Sequence, residues 1–182
     1  MNLLTSRRLA AASVSILTVL SLTACGSSSS NSAATTPASS PPATAASPTG
    51  SSAIVGVKVT GEKGQQPTIV VAKGAPKPAG LQSEDIYVGD GAEVKPGDTV
   101  TAHYTGVSLA TGQVFDSSWV RGQPAQFPLT QVIQGWQQGV PGMKVGGRRL
   151  LVIPADLAYG DNPQGGAPAG PLVFVVDVVS VP

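Results

Sequence analysis

Apolar residues alternate with polar or small ones over most of the second half of the chain, and helical spacing appears only once. Val100-Thr101-Ala102-His103-Tyr104-Thr105-Gly106 has period two, which predicts a strand with Val100, Ala102 and Tyr104 on one face and His103 on the other. Thr111-Gly112 reads as a hairpin turn, with Gln113 to Asp116 returning as a strand. Arg148 to Ile153 predicts a strand with Leu151 and Ile153 on one side, and Arg148 and Arg149 as solvated charges. Leu172 to Val181 predicts a long final strand whose Leu172, Phe174, Val176 and Val178 share a face.

Earlier in the chain, Ile54 to Val59 alternates with small residues and predicts a first strand. The turn Gly61-Glu62-Lys63-Gly64, the apolar stretch Thr68 to Ala72 and the proline-bearing loop Lys73 to Gly80 follow it. Ile86 to Val88 leads into Gly89-Asp90-Gly91, a turn expected to need positive φ. The one helical pattern is Thr130 to Gln138, where Val132, Ile133, Trp136 and Val140 fall on one stripe before Pro141 and Gly142 stop it. One short helix and about five strands joined by turns predict an α+β fold, an antiparallel sheet curled over the helix.

The N-terminal quarter changes the picture. Met1 to Arg8 carries two positive charges, and the apolar run Leu9 to Leu22 follows. That run of about 14 residues is short of the roughly 20 that span a bilayer and suits the core of an export signal. Leu22-Thr23-Ala24-Cys25 resembles the lipobox of bacterial lipoproteins, in which the chain is cut before the cysteine and the thiol is acylated. Residues 1–24 are therefore expected to be a signal peptide and Cys25 a lipid anchor. Residues 25–52, nearly all Ser, Ala, Thr, Pro, Gly and Asn, bury nothing that would offset ordering, so they are expected to be a flexible tether. The resulting location is extracytoplasmic, at the bacterial membrane. Residues 53–80 form an extension, either an extra strand or a partner-binding arm, ahead of a domain over 81–182.

Charge and composition exclude several classes. The chain has 11 basic and 10 acidic residues, and without Arg7 and Arg8 the balance turns slightly negative. No basic stripe exists to hold nucleic acid. With one cysteine there is no intramolecular disulfide. The sole histidine lies across its strand from Tyr104, there is no Gly-x-Ser-x-Gly elbow, and neither zinc-ligand nor phosphate-loop spacing occurs.

What remains is a set of aromatic residues at the ends of the predicted elements. His103-Tyr104-Thr105-Gly106, Phe115-Asp116-Ser117-Ser118 and Val132-Ile133-Gln134-Gly135-Trp136-Gln137-Gln138-Gly139 occur in that order. Met143-Lys144-Val145-Gly146, Ala158-Tyr159-Gly160 and Leu172-Val173-Phe174 continue the series. Together they resemble the signature of the FK506-binding proteins (FKBPs), peptidyl-prolyl cis-trans isomerases, over roughly residues 81 to 181.

That resemblance implies an FKBP-like fold and a shallow apolar cleft. Tyr104, Phe115, Phe127, Val132, Ile133, Trp136 and Phe174 would bind substrate, with Trp136 as the floor. Asp116 and Tyr159 would be the catalytic pair, Tyr159 donating to the substrate carbonyl and Asp116 orienting it. Partners would be proline-containing polypeptides, tacrolimus- or rapamycin-type macrolides, and the membrane through Cys25; the domain would be a monomer. Rotation about a peptide bond faces a barrier of about 18–20 kcal/mol because resonance is broken. No bond is made or cut, so no cofactor or metal is called for.

The chain departs from the family pattern at Ala125, where a second aromatic is frequent, and at Leu157, where a tyrosine is frequent. The loop Asp161 to Pro168 also lacks an Ile-Pro-Pro lip. A more open cleft is expected, with an alternative reading as a proline-segment binding module or chaperone of little turnover.

Overall fold

The computed structural model describes residues 54–182. Cys25, the expected signal peptide and the whole of the tether, residues 25–52, lie outside the described residues.

The strands are β1 (Val57–Thr60), β2 (Thr68–Val71), β3 (Gln82–Tyr87), β4 (Thr99–Ser108), β5 (Val114–Ser117), β6 (Ala125–Pro128), β7 (Arg148–Ile153) and β8 (Leu172–Ser180). The only α-helix among the described residues is α1 (Gln134–Gly139). The main sheet runs β3-β7-β8-β4-β5, with β6 pairing the first half of β4, so it has six strands rather than about five. Every pairing is antiparallel, and β4 lies against β8 from Thr101 to Ser108.

Side-chain alternation gives this sheet two apolar faces. Leu151, Ile153, Leu172, Phe174, Val176 and Val178 turn toward α1 and form the main core with Val100, Ala102 and Tyr104. Leu150, Val152, Val173, Val175 and Val107 turn the other way. A sheet apolar on both faces must be covered on both. The cover on the rear face is the β1-β2 hairpin, which pairs only with itself and brings Val57, Val59, Ile69 and Val71 onto those valines. The extension over 53–80 thus adds no strand to the main sheet.

Three expectations need correction. The helix begins at Gln134, four residues later than its pattern suggests. Leu129–Gln131 is a single 3-10 turn, and Val132 and Ile133 are extended, with ψ of 172° and 151°. Ile133 lends its carbonyl to the amides of Trp136 and Gln137, and the Gln137 side chain donates to the Val132 carbonyl. Gly89 and Gly91 do not adopt positive φ. Gly89 is instead a place of close approach: a Cβ there would stand 2.2 Å from the carbonyl oxygen of Val145.

Arg148 and Arg149 are not solvated. Arg148 is fully buried under the hairpin turn, donating to Asp177 at 2.7 Å and to the Gln65 carbonyl at 2.6 Å, with the Gly61 carbonyl at 3.5 Å. Tyr87 donates to the same Gly61 carbonyl at 2.7 Å. A buried guanidinium persists only where its donors find acceptors, and the turn supplies them. Arg149, on the opposite face, grips Asp85 with two donors at 2.6 and 2.9 Å. Its third donor reaches the Gly139 carbonyl at 2.8 Å, tying down the end of α1.

Candidate functional site: an aromatic cleft between sheet and helix

The cleft grows out of the strand alternation. Period two points Tyr104 from β4 and Phe174 from β8 toward α1, and β5 and β6 add Phe115 and Phe127 at the rim. The extended pair Val132-Ile133 delivers its side chains beside Trp136 at the start of α1. The result is a cavity of about 290 Å³ that brings together all nine residues expected there: Tyr104, Phe115, Asp116, Phe127, Val132, Ile133, Trp136, Tyr159 and Phe174. Gln131 also lines it. Ala125 and Leu157 do not; both pack half-buried against the main core.

The rings meet edge to face. Trp136 stands 5.7 Å from Tyr104, 5.3 Å from Phe127 and 5.5 Å from Phe174, with interplanar angles of 83°, 66° and 88°. Phe115 meets Phe174 at 5.6 Å and 89°. Such contacts join the positive edge of one ring to the negative face of the next and fix a rigid floor. Gly106 on β4 makes this possible, because a Cβ there would stand 2.6 Å from Cζ of Phe115 and 2.8 Å from Cε1 of Phe174. Nε1 of Trp136 is buried and has no hydrogen-bond partner.

One side of the cleft is polar. Tyr104 donates its hydroxyl proton to Oδ2 of Asp116. Arg121 donates from Nη1 to Oδ1 of Asp116 at 2.6 Å and from Nη2 to the Tyr104 hydroxyl oxygen at 2.7 Å. Both carboxylate oxygens of Asp116 are thereby engaged. Burial alone would raise its pKa, but the bonds from Tyr104 and Arg121 and the guanidinium charge outweigh it and hold the carboxyl below its usual value. Burial, followed by the bond to Asp116, pushes the Tyr104 hydroxyl up. At neutral pH the trio is a phenol, a carboxylate and a guanidinium.

Tyr159 differs. Its side chain lines the cleft from the loop after β7, is 43% exposed, and its hydroxyl makes no hydrogen bond within the described residues. It is the free donor at the mouth. Arg121 was missed in the sequence because nothing in its spacing marks it; only the fold of the loop after β5 carries it back to Asp116. Gln131 was legible by position alone, as the neighbour of Val132.

Comparison with known proteins agrees with this geometry. The family model described as FKBP-type peptidyl-prolyl cis-trans isomerase matches residues 91–179. A probable FK506-binding protein of Corynebacterium glutamicum is 52% identical over 117 residues, covering 64% of this chain and 98% of the relative. An FK506-binding protein of Streptomyces anulatus is 53% identical over 122 residues, with the same coverage of 64% and 98%. The crystal structure of FkpA from Escherichia coli superposes with a TM-score of 0.52 at 40% identity, over 60% of this chain and 52% of that one.

Proposed function

Since this chain belongs to the FKBP-type peptidyl-prolyl cis-trans isomerase family, we propose that it isomerises X–Pro bonds in exported polypeptides at the bacterial cell envelope, held to the membrane by a lipid on Cys25. The observation that carries the catalytic reading is the cleft itself: a cavity with an aromatic floor, a clamped carboxylate on one side and an unengaged tyrosine hydroxyl on the other.

The chemistry follows from those groups. Water stabilises the planar, charge-separated amide, whereas the twisted amide is less polar along its C–N bond. Seating the prolyl ring on Trp136, Phe127 and Phe174 removes that water and favours the twisted state. Tyr159 donates to the substrate carbonyl as it turns. Asp116, kept ionised by Arg121, acts as a fixed negative pole that orients the carbonyl and takes no proton. Only X–Pro bonds populate both isomers appreciably, which is why a proline-shaped cleft suffices without a nucleophile. Macrolides of the tacrolimus and rapamycin type would occupy the same floor, and the domain would act as a monomer.

The location rests on the leader and on Leu22-Thr23-Ala24-Cys25. Acyl chains on Cys25 would each contribute about 0.8 kcal/mol per buried methylene.

The test is isomerisation of a Leu-Pro or Phe-Pro peptide with the parent chain, Asp116→Ala and Tyr159→Phe, each with and without tacrolimus. Lowered catalysis in the variants and inhibition of the parent support the assigned roles; unchanged rates in both variants would remove them. Metabolic palmitate labelling of the parent and Cys25→Ser, with fractionation of the cells, tests the anchor. Label on both proteins, or on neither, counts against it.

A further inference from the structure

His103 and Tyr104 are consecutive on β4 and point to opposite faces of the sheet. They also sit where the ladder along one edge of β4 is broken. On that edge β5 pairs from Thr105 onward and β6 only up to Ala102, so neither strand reaches the two residues between. Ser118, fully buried, closes the gap. Its hydroxyl oxygen accepts the Tyr104 amide at 2.8 Å and lies 3.0 Å from Nδ1 of His103. Its own amide donates to the Tyr104 carbonyl at 3.1 Å.

From Ser118 the chain makes two overlapping reverse turns. The Arg121 amide donates to the Ser118 carbonyl at 3.1 Å, and the Gly122 amide to the Trp119 carbonyl at 3.0 Å. These turns straddle the edge of β4. Trp119 goes to the rear, where its indole lies on the imidazole of His103 with centroids 3.9 Å apart and planes within 14°. Arg121 goes to the front, where it bonds both Asp116 and the Tyr104 hydroxyl. Val120 between them is 79% exposed, so its side chain does not seat the turns.

Nε1 of Trp119 is buried and has no hydrogen-bond partner, so this ring holds by its face and not by its N–H. The Arg121 side chain, by contrast, is 48% exposed. An ion pair so exposed is weak, because its side chains give up rotamer freedom to hold one geometry. Fixing the backbone beneath the guanidinium narrows what has to be given up, and the stack behind the same strand supplies that fixing.

We propose that Trp119 is a positioning residue of the prolyl cleft: by stacking on His103 behind β4, it seats the turns that deliver Arg121 to Asp116 and Tyr104 in front. Its bearing on catalysis rests on the reading of Asp116 as the group that orients the substrate carbonyl.

The test is a double-mutant cycle on the full chain between Trp119→Ala and Arg121→Ala, read by prolyl-peptide kinetics and by carboxyl NMR titration of Asp116. Trp119→Ala should lower kcat/KM about twofold to fivefold, the weight of an exposed ion pair. It should also move the Asp116 titration to higher pH, toward that of Arg121→Ala. In the Arg121→Ala background the same substitution should change neither. Trp119→Leu, which keeps apolar cover but no flat face, should repeat both changes and serves if the alanine variant does not fold. Trp119→Phe, which keeps a ring on the imidazole, should recover both. Additive losses in the cycle, an Asp116 titration unmoved by loss of the ring, or a phenylalanine variant as impaired as the leucine one would each overturn the proposal. A titration that moves while kcat/KM holds would support the role of Trp119 and remove Asp116 from the chemistry, so the two readings fail separately.

Discussion

Gly135 of α1 and Ile153 of β7 meet with no room for a methyl group between them: a Cβ on the glycine would stand 2.4 Å from Cγ2 of the isoleucine. One turn later Gly139 repeats the arrangement against Leu151, at 2.7 Å. Glycine weakens a helix by about 1 kcal/mol relative to alanine. In so short a helix that cost is tolerable only because it lets the backbone lie flush on the sheet, which sets the height of Trp136 beneath the cleft.

Gly135→Ala should therefore destabilise the domain despite the gain in helix propensity. Overpacking of this kind costs about 1–3 kcal/mol. The variant should also raise KM for a prolyl peptide, because Trp136 is lifted with the helix. Urea denaturation and peptide kinetics read the two effects separately; greater stability than the parent would contradict the packing argument.

Arg148→Ala should cost about 3–5 kcal/mol, the range for breaking a buried ion pair from one side. It strands the Asp177 carboxylate and the Gln65 carbonyl together, leaving Gly61 with its bond from Tyr87 alone. Amide hydrogen exchange should show the β1-β2 hairpin losing protection before the main sheet does. Uniform loss across both would mean that the arginine serves the sheet and not the hairpin.

Tyr159→Phe should lower kcat about twofold to tenfold, the worth of one hydrogen bond of about 0.5–1.5 kcal/mol gained mainly in the twisted state. The hydroxyl supports nothing else in the fold, so the melting temperature should hold. Should KM rise at constant kcat, the hydroxyl would be a binding group only.

Asp116 should tie activity to pH. Its carboxyl is held below the usual 3.8, so its interactions contribute stability above that value and lose it as pH falls through the lower, folded pKa. Activity should accordingly be flat from neutrality down to about pH 5, well above where that carboxyl takes a proton. In Arg121→Ala the opposing charge and hydrogen bond are gone, burial is less resisted, and the acid limb should move to higher pH. Carboxyl NMR titration of both proteins checks the direction, and an unmoved Asp116 would sever the link to Arg121.

Much of this was legible in the sequence, and what was not has physical reasons. Period two identified the cleft-facing residues of β4 and β8 because one face of each strand had to be apolar. It gave no hint that Val173 and Val175 needed a cover, since a strand buried on both sides reads as a plain apolar run. The hairpin that covers them was visible as two short apolar stretches around a turn, but not its place on the rear of the sheet. Val132 and Ile133 mimicked a helical stripe because both face the same cleft as Trp136; a shared target, not a shared helix, produced the spacing. Arg121 and Arg148 depend on partners 5 and 29 residues away, beyond the reach of local pattern.

The hairpin also decides which side of the sheet the first described residues occupy. Ile54, the first residue described, packs with the rear cluster, on the side of the sheet away from Trp136. Cladding and workbench are thus on opposite sides: a polypeptide approaching the tryptophan does not have to displace the β1-β2 hairpin.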